Sequence, residues 1–432
     1  MVHSPSITAA SESLAARKQV HLAESGLTSV EGARQAIQTI SSRKLVTHLS
    51  LSHNWLGDDG CEELCRYLCS DEGRKYRISE ISLRSNGIGD RGLAALTEYV
   101  WGNSSLRELF LQNNIFDGEL DVTTQFAEAL NTSEIRELAF SANEGDGDAL
   151  ISNLLASLDA PFLRDLHFSE TGLTYRCVAS IVEYITSPRC QLHTLRLNAN
   201  RLGKRGIKAL LDAVEKGNFS LTRLDLYSNT VDNSDEAALE EDEGGMTSQD
   251  LQANSERLKK LTFRNDRLKR ETEKQAFTLL RHARPVLLPS ARPQSRIVLG
   301  FSQLPIEVQL HILSCLAPSL SSTQRIKIFH YASSPATLPR LLPTLPSAGC
   351  IPDPSSFTFG PGVSSPGSPF GFGPGSVAKF SPVTTSGGCS NGRCMGAGNS
   401  VVCRREAERM RWLGLVGCTA YEPEGLGSTI LI

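Results

Sequence analysis

Four cysteines, Cys389, Cys394, Cys403 and Cys418, fall within 30 residues near the end of the chain. Four thiolates are the donor set of a tetrahedral zinc site, and a short segment with little core of its own gains from such a staple. Zinc is therefore one expectation for the tail. Unpaired reduced thiols are the other, since no two of these cysteines form a Cys-x-x-Cys pair. Cys61, Cys65 and Cys69 stand at i, i+4 and i+8, a spacing that stacks them on one helix face. The positions matching Cys61 in neighbouring units hold Leu93 and Ile207, so burial as small apolar side chains is expected there, not metal. No Gly-x-x-x-x-Gly-Lys-Ser loop, His-Glu-x-x-His or Gly-x-Ser-x-Gly is present. His48, His53, His167 and His193 are scattered and suggest no relay. Arg91 in SNGIGDRGL and Arg205 in ANRLGKRGI are cations in equivalent loops.

The bulk properties narrow the classes further. Of 432 residues, 40% are hydrophobic and 21% charged, enough for a sizeable core. Lys plus Arg is 44 against Asp plus Glu 47, a net charge of −3, so neither nucleic acid nor an anionic membrane is expected as a partner. No run reaches the 18 or so apolar residues of a membrane span, and MVHSPSITAA lacks the basic start and apolar region of a secretory signal. A cytoplasmic or nuclear protein with reduced thiols is expected. The 11 cysteines, an odd number, do not suggest a disulfide framework.

The elements that position these residues come from a repeat. The phrase Leu-x-x-Leu-x-Leu-x-x-Asn-x-Leu recurs, for example as Ile78, Ile81, Leu83, Asn86 and Ile88, and as Leu106, Leu109, Leu111, Asn114 and Phe116. Marker positions 25, 54, 86, 114, 143, 171, 200, 229 and 266 give intervals of 28 to 32 residues and a last one of 37. The Leu-x-Leu core alternates with period two, which makes it a strand whose leucines point inward. The Asn is expected to hydrogen-bond backbone groups of the following turn. Gly60, Gly92 and Gly206 precede apolar residues at helical spacing, such as Leu64 and Leu68, which predicts a helix in each unit.

On these motifs residues 17–284 resemble the ribonuclease-inhibitor-like leucine-rich repeats. The resemblance implies an α/β horseshoe of about nine repeats, with a parallel sheet on the concave face and helices on the convex face. It also implies recognition of a protein partner more often than catalysis. The outward strand residues expected to bind that partner are Arg84, Phe110, Gln112, His167, Arg196, Asp225, Tyr227 and Arg264, Arg and aromatic groups being common hot spots. A non-catalytic scaffold is the principal expectation. The alternative is a GTPase activator acting on a small GTPase, because repeat type and a dense acidic stretch also resemble the Ran GTPase activator. In that reading Arg91 and Arg205, in equivalent loops after the strands, are the candidate arginines; neither sits in a motif that aligns with that family, and the other reading for both is a solvated loop.

Two interruptions and a tail complete the chain. Residues 1–16 precede the repeats and are expected to be disordered. Residues 232–255 carry an acidic insertion, DNSDEAALEEDEGG, ahead of a basic segment on which it could fold back. Residues 341–388 are rich in Pro, Gly and Ser, a spacer expected to stay disordered, with Phe357, Phe359, Phe370 and Phe372 as adhesive points. A Cys-containing tail, 389–432, follows, with Arg404 to Leu415 expected as an amphipathic helix.

Within 297–340, Leu304, Pro305, Glu307, Val308, Ile312, Leu313 and Leu316 resemble the opening of an F-box. That resemblance implies docking on the Skp adaptor of a cullin ubiquitin ligase. RIKIFHY lacks the Trp of the usual second helix, and the segment follows the repeats instead of leading them. The other reading is a helical hairpin capping the open end of the horseshoe.

Overall fold

A computed structural model describes residues 18–229, 247–288, 301–337 and 401–424, with the side chains of 401–407 and Ser302 not described. The acidic stretch 232–245, the spacer 341–388 with its phenylalanines, Cys389 and Cys394 lie outside the described residues, as do residues 1–16.

Eight three-residue strands form one parallel sheet in chain order: β1 (Gln19–His21), β2 (His48–Ser50), β3 (Glu80–Ser82), β4 (Glu108–Phe110), β5 (Glu137–Ala139), β6 (Asp165–His167), β7 (Thr194–Arg196) and β8 (Arg223–Asp225). A helix follows each of the first seven: α1 (Ser29–Ser41), α2 (Gly57–Cys69), α3 (Asp90–Val100), α4 (Leu120–Thr132), α5 (Gly147–Ser157), α6 (Val178–Thr186) and α7 (Gly203–Gly217). Each unit buries its apolar side only by stacking on the next. Leu49, Ile81, Leu109, Leu138, Leu166 and Leu195 accordingly line one continuous core. Phe140 sits within it, with ring centroids 5.4 Å from Phe116 and 5.3 Å from Phe168.

The Asn ladder behaves as the repeat motif predicts. Asn114 Oδ1 accepts from the amides of Asn86 (3.1 Å) and Ile88 (3.0 Å), while its Nδ2 donates to Leu83 O and Leu111 O, both at 3.0 Å. An apolar residue here would leave several buried backbone groups unsatisfied. The residue before each marker, such as His53, Ser85, Asn113 and Ala199, takes a positive φ of 53 to 57°, so a non-glycine left-handed residue recurs once per turn. Thr171 replaces Asn in one unit, and its hydroxyl keeps one contact of the ladder, to Phe168 O at 2.9 Å. At Gly60 a Cβ would stand 2.6 Å from Ser29 O. Glycine there lets α2 lie against the preceding unit.

The ninth repeat expected at Leu258 to Leu268 is not a repeat. Those residues belong to α8, a 40-residue helix from Ser248 to Leu287. Spacings of three and four residues satisfy a helix face as readily as the Leu-x-x-Leu phrase. Tertiary contacts settle the choice, because β8 must be covered. A capping box opens the helix: Thr247 Oγ1 accepts from Asp250 N and Asp250 Oδ2 from Thr247 N, each at 3.1 Å. Leu261 enters the repeat core, and the fully buried Asn265 donates to Leu221 O at 2.8 Å.

The hairpin of α9 (Ile306–Ser314) and α10 (Ser322–Ser333) packs on the second half of α8, not on the open end of the horseshoe. The part of the cap expectation that placed it there is corrected. α8 itself covers β8. Ala276, Leu279 and Ala283 of α8, Leu313 of α9 and Ile328 and Ala332 of α10 join Trp412, Leu413 and Val416 in a second core. Trp412 and Leu413 lie at the end of α11 (Val401–Leu415), which joins this core through them. Gln324 ties this core together: it completes the α10 capping box with Ser321 and donates to Gly417 O (2.8 Å) and Ala420 O (3.0 Å).

Candidate functional site: the concave face

Parallel register turns each repeat position into a row across the sheet. One row runs Glu80, Glu108, Glu137 and Asp165, directly opposed strand to strand. The next holds Ser82, Phe110, Ala139, His167, Arg196 and Asp225. Arg84, Gln112 and Tyr227 continue their strands one pleat further. Of the eight residues expected to face a partner, seven stand on this face.

Their environments differ. Arg84 lies over the Phe110 ring, 4.5 Å from its centroid, a cation–π contact that fixes the guanidinium. Asp225 is buried against Arg223, whose Nε donates to it at 2.9 Å, and Arg196 Nε stands 3.6 Å away. Tyr227 is 62% exposed. His167 is only 6% exposed, with Nδ1 3.8 Å from Glu137 Oε1. Burial, then the charges of Arg196, Arg223 and Arg84, push its pKa down to about 4. It is neutral at pH 7, so the contact with Glu137 is not an ion pair. Burial and the neighbouring carboxylates of Glu108 and Asp165 push Glu137 up to about 7, and burial raises Glu80 and Glu108 in the same direction.

Several buried polar atoms on this face have no hydrogen-bond partner among the described residues: Arg84 Nε, Glu108 Oε2, Gln112 Oε1, His167 Nε2 and Arg196 Nε. Such atoms are costly unless something else satisfies them.

Arg264 is the exception among the eight. It lies on α8, not on a strand, and binds the end of α7: Nη1 donates to Glu215 O at 2.9 Å and Nη2 to Val214 O at 2.8 Å, with its guanidinium 4.8 Å from the Phe219 ring centroid. Its role is to close the last repeat. The absence of an Asn marker at 266 and the 37-residue interval were the available signals for this. The acidic row was missed because each carboxylate looks like an ordinary strand residue until the repeats are stacked in register.

Arg91 and Arg205 were expected in loops and sit instead in the first turns of α3 and α7. Arg91 is held by Asp59 and Glu62 of α2. In the F-box-like segment, Pro305 is the N-cap of α9, Glu307 is exposed, and Leu313 is buried in the second core. Leu304, Val308, Ile312 and Leu316, spaced by four, are each 39 to 42% exposed and form a stripe that no described residue covers. Cys418 is fully buried beside Leu413, with burial pushing its thiol up to about 12. Among the described residues no three His, Cys, Asp or Glu side chains converge on a possible metal centre, and no helix is long and apolar enough to cross a membrane.

The family model "Leucine Rich repeat" matches residues 44–65 and 78–96. Mouse NACHT, LRR and PYD domains-containing protein 5 is 25% identical over 221 residues, which is 50% of this chain and 16% of that protein. Its human counterpart is 27% identical over 215 residues, 49% of this chain and 15% of that protein. Mouse ribonuclease inhibitor is 26% identical over 225 residues, 51% of this chain and 47% of the inhibitor. The chain thus spans less than half the length of each. The stacked strands, the Asn ladder and the matched repeats together give residues 19–225 a leucine-rich repeat fold.

Proposed function

We propose that the protein is a recognition scaffold that binds a protein partner on its concave face. The observation that carries this reading is the set of buried, unsatisfied polar atoms on that face, from Arg84 to Arg196. Hydrogen bonds that a partner supplies to these atoms add to affinity on a surface whose strands are already fixed. The similarity to a protein named ribonuclease inhibitor agrees with a macromolecular ligand. The test is affinity capture with the purified full chain. Capture lost in Arg196→Glu plus Tyr227→Ala, but kept in Arg34→Glu on α1, is the expected result. The opposite pattern would overturn the reading.

A second reading concerns α9. The exposed stripe of Leu304, Val308, Ile312 and Leu316 is an apolar ridge suited to another helix, which supports docking on a Skp adaptor and, through it, a cullin. Co-purified Skp and cullin, lost in Leu304→Ala plus Ile312→Asp while the melting curve stays unchanged, is the expected outcome. For the GTPase activator, the engagement of Arg91 by Asp59 and Glu62 gives no support.

A further inference from the structure

Glu80, Glu108, Glu137 and Asp165 occupy four consecutive strands in direct register, about 4.8 Å apart. Like charges directly opposed across strands are destabilising. Two histidines approach the row, His48 Nε2 at 3.6 Å from Glu80 and His167 Nδ1 at 3.8 Å from Glu137. Among the described residues no Lys or Arg forms an ion pair with any of the four. Among the described residues the row thus sets its mutual repulsion against these two histidine contacts alone.

The carboxylates do not converge on one centre; they form a line. Glu108 Oε2 is a buried acceptor without a donor among the described residues. His167 Nε2, on a side chain more than nine-tenths buried, also lacks a partner among the described residues. When the imidazole turns Nδ1–H toward Glu137, Nε2 becomes an acceptor as well. Donors carrying positive charge complete both. Beside the row lie Phe110, under the Arg84 guanidinium, and a fully buried Ala139, between Ser82 and His167.

We propose that this row is the recognition track for a basic amphipathic helix lying along the arc, across the strands. Its Lys and Arg stripe meets Glu80, Glu108, Glu137 and Asp165, and the rest of its inner face passes over the row that holds Phe110 and Ala139. The inference rests on the concave face being the partner interface and names the chemistry of that partner. A helix advances about 5.4 Å per turn against the sheet's spacing of about 4.8 Å, so four cations fall out of step by only about 2 Å. That is within the reach of a Lys or Arg side chain. Same-side residues of an extended strand repeat at about 6.7 Å and slip by more than one carboxylate over the same row.

The test is fluorescence anisotropy on the full chain at low salt. The probe is a labelled alanine-based peptide of about 18 residues with Lys at i, i+4, i+7 and i+11 and a Leu stripe alongside. Wild type is expected to bind it. Glu108→Gln plus Glu137→Gln should weaken binding about tenfold or more, and a scrambled peptide of equal composition should bind about fivefold more weakly. Unchanged affinity in the double variant, equal affinity for the scrambled peptide, or no binding by wild type would each overturn the track. Should the double variant lose its helical circular dichroism, Glu108→Gln alone serves, with at least a threefold loss expected and no loss overturning. If the peptide fails while partner capture still depends on Arg196 and Tyr227, the interface reading stands and this inference falls; if both fail, both fall.

Discussion

Glu108 on β4 and Glu137 on β5 stand directly opposite one another, with Asp165 next in line. Neither glutamate has a Lys or Arg in ion-pair contact among the described residues. Each repeat places its carboxylate by the same backbone geometry, so the repulsion is a consequence of stacking and persists unless a ligand relieves it.

Glu137 makes this repulsion measurable. It is faced by Glu108, Asp165 and the neutral His167, with Arg84 and Arg196 further off. Its folded pKa of about 7 lies above the usual carboxylate value of about 4.3. Between these values the folded chain binds more protons than the unfolded one, so this group's contribution falls as pH rises and is fully lost above about pH 7. His167, lowered to about 4, acts in the opposite sense between about 4 and 6.5. Glu137→Gln should therefore stabilise the protein at pH 8 by about 1 kcal/mol, after allowance for partial exposure, and by less at pH 5. Urea unfolding at both pH values checks this; an equal effect at both would refute it.

Asn114→Ala removes three hydrogen bonds to the preceding repeat and one to Leu111 O in its own. The expected loss is about 3 kcal/mol, because buried backbone groups on both sides are left without partners. A shift in the urea midpoint below about 1 kcal/mol would mean that the ladder can re-form around the gap.

Arg264→Ala removes the donors that close α7 and the stacking on Phe219. Amide exchange is expected to quicken first in the last turn of α7 and in β8, with about 1.5 to 3 kcal/mol lost locally and the first repeats unaffected. Uniform quickening would show that the cap is coupled to the entire stack.

Neighbouring residues of α9 should separate sharply. Leu313→Asp buries a charge in the second core and is expected to abolish its cooperative melting, at a cost above about 3 kcal/mol. Ile312→Asp alters the exposed stripe and should change stability by less than about 0.5 kcal/mol. Thermal unfolding of both variants distinguishes the two faces; similar losses would mean that the stripe is covered in solution.

The repeats were legible from the sequence because each coil of a leucine-rich stack is specified locally. A period-two leucine pair, an Asn and a glycine contact only the coil before and after, so their spacing alone dictates the strand, the turn and the helix. Seven of the eight outward residues follow from the same alternation. What the sequence could not decide lies where one stretch satisfies two geometries. Leu258 to Leu268 fits both a repeat and a helix, and the uncovered edge of β8 selects the helix, which carries Arg264 away from the concave face. The acidic row, too, exists only in three dimensions. Four residues some 28 or 29 positions apart become neighbours through register, and their burial and mutual repulsion are properties of that packed surface.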